Sequence, residues 1–256
     1  MIKCFSFFSL IFLFCFLCIS AQDNISYTKI SPGDPAINPG IIKPYTAKYK
    51  LIRNGQFMAW AIVDLSESNY NGKEAYFLRW DLRFPGSSVY DQVIFDKTTF
   101  SPYMQILPSG FGDDSGLKVT FYNDQKLFGG ITLTNGDSLK KLESTFDEKV
   151  FEGGMHHLLL SSLQLEKGYK IKFPAGTENG ISYTKAEILD KEKQTINNKV
   201  HDVWNIKLIN NFNNTEIISN LYLIQEPPYI VKRVTPVNIG IEWELVELIR
   251  IDSYTE

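Results

Sequence analysis

Val150-Phe151-Glu152-Gly153-Gly154-Met155-His156-His157-Leu158-Leu159-Leu160-Ser161-Ser162-Leu163-Gln164-Leu165-Glu166-Lys167-Gly168-Tyr169 is the stretch at which this chain changes character. Met155, Leu158, Leu159 and either Ser162 or Leu163 recur at the i, i+3, i+4, i+7 spacing of one helical face. Gly153-Gly154 loosens the chain before them, and Lys167-Gly168 supplies a basic last turn and a stop. The spacing predicts one short apolar helix near residues 154–166. Around it the sequence alternates or bunches like β-strands. The expected fold is mainly β: a large curved antiparallel sheet, a half-barrel or open barrel, packed around that helix.

Working outward, four Asn-Gly pairs punctuate the chain: Asn54-Gly55, Asn71-Gly72, Asn135-Gly136 and Asn179-Gly180. Such a pair between apolar runs marks a tight hairpin, because both central residues take positive φ. Repeated turns of this kind predict an antiparallel meander. In Phe57–Leu65 the residues Phe57, Ala59, Ala61, Val63 and Leu65 share one face, and Met58, Trp60 and Ile62 the other. Both faces are apolar, so this strand is expected to be covered on both sides, with Trp60 packed under the helix. In the last strand the alternation Ile239, Ile241, Trp243, Leu245 changes phase to Val246, Leu248, which predicts a β-bulge near Leu245.

At the front, Lys3 precedes an apolar run from Cys4 to Ile19, followed by Ser20-Ala21. This is the pattern of a secretory signal, with cleavage expected after Ala21 or Gln22. Residues 1–21 are read as signal, 22–44 as an extended Pro-rich lead-in, and 45–256 as a single β domain. All three cysteines fall in the signal, so the mature chain is expected to lack disulfides, thiolate metal sites and cysteine nucleophiles. The expected location is the periplasm or the cell exterior, with no membrane span in the mature form. The net charge is −3, and no basic block appears, which argues against nucleic acid as a partner.

Catalytic patterns are sparse. His156, His157 and Glu152 invite a metal reading, but adjacent histidines point about 100° apart on a helix of 3.6 residues per turn. Asp113-Asp114 sits in a glycine-rich loop without the twelve-residue calcium pattern. No Gly-x-Ser-x-Gly elbow is present. Glu242 and Glu244 share a strand face and are the least implausible acid pair for a hydrolase of cell-wall or glycan substrates. No cofactor and no metal are expected. The aromatic content is 14%, which suits a large core or an apolar cavity between sheet and helix. Trp60, Trp80, Met155, Leu158 and Leu159 are the residues expected to face a hydrophobic ligand there.

Three stretches resemble a family of exported bacterial proteins, domain-of-unknown-function family 3108. They are Tyr49–Gly55 leading into Ala59-Trp60-Ala61, then Leu158–Phe173 with Leu165-Glu166-Lys167-Gly168-Tyr169, and finally Tyr222-Leu223 through Pro227–Arg233 to Trp243–Val246. The resemblance implies an envelope protein with a large incurled antiparallel sheet. It also implies a distant likeness to the half-barrels of lipoprotein-sorting carriers, which enclose acyl chains against a helix. It brings no catalytic residues. The leading expectation is a non-enzymatic binder of a lipid, an acyl chain or an envelope partner in a sheet–helix groove. A structural module of a surface assembly is the third reading.

Overall fold

The structure, a computed structural model, describes residues 26–109, 116–123, 125–133, 140–196, 198–212, 215–235 and 240–251. The signal expected at 1–21, the Asp113-Asp114 loop and Asn135-Gly136 lie outside the described residues.

Fifteen strands form one open, curved sheet. The first half is β1 (Thr28–Lys29), β2 (Tyr45–Arg53), β3 (Gln56–Tyr70), β4 (Lys73–Phe84), β5 (Ser87–Asp96), β6 (Pro102–Ser109), β7 (Gly116–Asn123), β8 (Lys126–Leu133) and β9 (Lys140–Thr145). The second half is β10 (Lys170–Thr177), β11 (Gly180–Ile196), β12 (Lys199–Phe212), β13 (Thr215–Leu223), β14 (Ile230–Val234) and β15 (Ile241–Ile251). β2–β9 and β10–β15 are each an antiparallel meander, β1 adds to the edge of the second beside β10, and β15 pairs with β2 to join the two into one sheet. Between the halves lie a 3-10 turn (Gly153–Met155) and the helix α1 (His156–Ser161).

Two of the four Asn-Gly turns follow the sequence, while at Asn179-Gly180 only the glycine has positive φ. Asn54, Gly55, Asn71 and Gly72 all have positive φ, as their hairpins require. The pairing of β15 with β2 slips between Leu245 and Glu247, at the expected bulge. The residues Tyr45, Ala47, Tyr49 and Leu51 are buried while their neighbours are half-buried, the period-2 signature of a strand with one sealed face.

α1 is shorter than the periodicity suggests. Ser162 turns its Oγ back onto the Leu159 carbonyl at 2.7 Å, and Gln225 Nε2 donates to the Leu163 carbonyl at 2.7 Å. These bonds satisfy the end of the helix, and the chain leaves it. Leu163 and Leu165 stay buried without being helical.

The lead-in is more than a spacer. β1 pairs parallel with β10, and Ile30, Ile37 and Ile42 enter the main core. Tyr76 Oη donates to the Ile42 carbonyl at 2.8 Å, and the Lys43 N–H donates to Tyr229 Oη at 2.7 Å. At the far edge, Phe151 makes an isolated bridge to Ala175 of β10, so the segment after β9 leans back onto the other end of the sheet.

Candidate functional site

The inward face of the sheet is built by register. Val63 of β3 stands opposite Trp80 of β4, and Trp80 opposite Asp91 of β5. On the other side Ala59 faces Leu51, Leu51 faces Trp243, Trp243 faces Arg233, and Arg233 faces Leu221. Directly opposed residues share a face. Because Ala59, Leu51 and Leu221 are core residues, Trp243 and Arg233 also point inward.

α1 lies against this face. Met155, Leu158 and Leu159 are at most 1% exposed and belong to the same core as Ala59, Ala61 and Val63. The helix leucines and the inward residues of β3 therefore belong to one sealed core. The aromatic expected there is a different one. Trp60 lies on the outer face, 36% exposed, with the Lys48 ammonium 4.3 Å from its ring. This corrects its placement under the helix. It also corrects the two-sided cover of β3, since Met58 and Ile62 are only half-buried. Val63 and Trp60 sit on opposite faces of one strand, and only the Val63 face meets the helix side of the sheet.

Trp80 is the tryptophan that reaches the helix. Its ring meets His157 edge-on at 5.2 Å and Trp243 edge-on at 5.6 Å. His157 is fully buried, and its Nε2 lies 3.3 Å from Tyr45 Oη. Burial keeps its ring neutral. His156 sits 6.0 Å from His157, half-buried. Its Nδ1 lies 3.0 Å from the Gly153 carbonyl, which only accepts, so Nδ1 carries the proton and Nε2 the lone pair. Burial, then the nearby Arg233 cation, pushes its pKa down to about 4. Arg233 is half-buried too. Its Nε donates to Ser219 Oγ at 3.3 Å, and no carboxylate among the described residues pairs with it. Desolvation lowers its pKa to about 10.

A second polar cluster flanks the helix start. Gln105 Nε2 donates to Glu152 Oε1 at 2.8 Å and to Asp91 Oδ1 at 3.2 Å. The Gly154 N–H donates to Glu152 Oε2 at 2.7 Å. A Cβ at Gly154 would come within 3.1 Å of Glu152 Oε2, so glycine permits this approach. Burial first, and the Asp91 charge second, raise the Glu152 pKa to about 8. Asp91 is also raised, by burial. Both effects favour the protonated carboxyl of Glu152. Nothing in the sequence links these residues, which lie on three separate elements.

The other sequence candidates separate. Glu152 and His156 turn to different partners, and no metal-ligand group forms among the described residues. Glu242 and Glu244 lie on the outer face, paired with Lys232 at 3.3 Å and Lys50 at 3.0 Å. Three surface hollows of 320, 510 and 450 Å³ lie elsewhere, the first beside the stacked pair Tyr70 and Tyr103. No helix among the described residues is long and apolar enough to cross a membrane.

A protein-family model described as "Protein of unknown function (DUF3108)" matches residues 44–245. No curated protein and no solved structure matches the chain.

Proposed function

The chain belongs to the DUF3108 family, and from that premise we propose that it is an exported, non-enzymatic binder that holds a hydrophobic ligand on the inward face of its sheet, beside α1. One observation carries this reading. Trp80 and Trp243 point inward yet stay half-buried, while their neighbours Val63, Ala59 and Leu51 are sealed. An inward aromatic pair left partly open to solvent offers apolar surface that folding has not used. Half-buried Leu82, two residues along β4 from Trp80, extends that surface. The buried leucines of α1 form its floor rather than its lining.

The apolar run Cys4–Ile19 supports export. The ion-paired positions of Glu242 and Glu244 give no support to the hydrolase alternative.

Lipid extraction and mass spectrometry of protein purified from its own envelope test the proposal. An acyl-chain compound should co-purify with the wild type and be depleted from Trp80→Ala/Trp243→Ala. No enrichment over an unrelated exported protein would overturn it.

A further inference from the structure

Arg233 is out of place for a residue with only a structural role. Its neighbour Lys232 points outward and meets Glu242, as a solvated strand lysine does. Arg233 points inward, opposite Trp243 and Leu221. A half-buried guanidinium has five N–H donors, and the one side-chain hydrogen bond it makes among the described residues is Nε to Ser219. Turning a charge inward costs free energy unless a partner of opposite sign receives it. The described residues supply no such partner. His156, whose pKa the Arg233 charge depresses, presents a bare Nε2 lone pair instead.

The other polar groups nearby do not neutralise it. Asp91 and Glu152 are tied together through Gln105. The buried Trp80 Nε1 has no acceptor among the described residues. The ring contacts run from His156 to His157 to Trp80 to Trp243, and Trp243 stands opposite Arg233 in register. Around the sealed His157 the inward face thus carries the half-buried Trp80 and Trp243 rings, a cation without a carboxylate partner among the described residues, and the His156 acceptor.

We propose that this surface takes an acidic amphiphile, with its carboxylate or phosphate head on Arg233 and its chain along Trp243 and Trp80. The inference rests on the binding reading above and adds the charge of the ligand. A guanidinium fork matches both oxyanions bidentately, which a lysine does not. The His156 Nε2 lone pair accepts a hydrogen bond from the O–H of a singly protonated phosphate or of a neighbouring hydroxyl of the head.

Calorimetric titration below micelle formation tests it, with decanoate, decyl phosphate, 1-decanol and inorganic phosphate as probes. Both acidic chains should bind at least about tenfold more tightly than 1-decanol, the factor a charge-assisted contact of about 1.4 kcal/mol gives. Arg233→Met should bring them down to the level of 1-decanol and leave 1-decanol unchanged. Arg233→Lys, which keeps the charge and loses the fork, should lie between, and it decides the matter if Arg233→Met fails to fold. Equal binding of acidic and neutral chains, unaffected at Arg233, overturns the charge assignment and spares the binding reading. Inorganic phosphate binding as tightly as decyl phosphate overturns the amphiphile. No binding of any chain overturns both.

Discussion

The indole of Trp80 stands edge-on to the imidazole of His157, with ring centroids 5.2 Å apart and planes at 80°. That contact ties β4 to α1, while Tyr45 Oη holds the imidazole Nε2 from β2 at 3.3 Å. The helix is thereby fixed from two strands, and its leucines are floor rather than wall. The proposed binding therefore puts the ligand in front of the Trp80 ring, not beneath the helix.

Leu159 separates these two placements. Leu159→Ala should cost about 2–5 kcal/mol of stability, the usual range for emptying a buried leucine site. It should leave chain binding within about twofold, since a change under about 0.4 kcal/mol is small on the affinity scale. Denaturant unfolding and titration on the same sample check both.

Glu152 gives the protein a defined alkaline sensitivity. Its pKa is raised on folding, so the folded state holds the proton after the unfolded chain has lost it. The stability of the protonated form is fully present below 4.5, the value of the unfolded chain, and is lost as pH rises through about 8. Glu152→Gln keeps an acceptor for the Gly154 N–H and removes the charge. The variant should gain on the wild type from about pH 5 to 8, by an amount on the order of a few kcal/mol, and then hold level. Thermal unfolding across that range reads the gap. A gap that narrows with rising pH would contradict the assignment.

Tyr76 is buried, and its hydroxyl donates to the Ile42 carbonyl at 2.8 Å, tying the lead-in to β4. Tyr76→Phe keeps the ring and leaves a carbonyl without its donor. The expected loss is about 1–3 kcal/mol. Proteolysis of the 26–44 segment should accelerate in that variant, which limited digestion with mass analysis detects.

Gly129 lies inside β8, opposite Thr120 of β7 and Leu142 of β9. A Cβ there would sit 2.0 Å from the Val119 carbonyl oxygen of β7. A strand glycine of this kind permits close backbone approach. Gly129→Ala should destabilise by more than about 2 kcal/mol or prevent folding. Gly153→Ala, with nothing within 4 Å of its Cβ, should be mild by comparison. Melting temperatures of the two variants decide it.

Much of the fold is legible because local chemistry and period agree. Asn54-Gly55 and Asn71-Gly72 set hairpins, Tyr45–Leu51 alternates cleanly, and the phase change at Leu245 is a bulge in fact. The site is less legible. Trp60 and Val63 read as equally apolar, and only the fold separates them, sealing Val63 and leaving Trp60 36% exposed. Arg233 carried no clean signal: Ile230 and Val231 are both buried and the pairing of β13 with β14 shifts beside them, so strand parity does not say which way Arg233 points. Asp91, Gln105 and Glu152 carried none: the register of β5 with β6 sets Gln105 diagonally across from Asp91, and Glu152 joins them from the start of the helical segment, a meeting that no sequence spacing encodes. The helix ends early because Ser162 bonds back to its own last turn, which apolar periodicity does not register.

Quenching of tryptophan fluorescence by a brominated acyl chain tests the central claim most directly, since it locates the chain against individual rings. The wild type and Trp60→Phe should be quenched alike, and Trp80→Phe/Trp243→Phe should lose most of the quenching. Quenching that survives in Trp80→Phe/Trp243→Phe and disappears in Trp60→Phe would place the chain on the outer face and contradict the account.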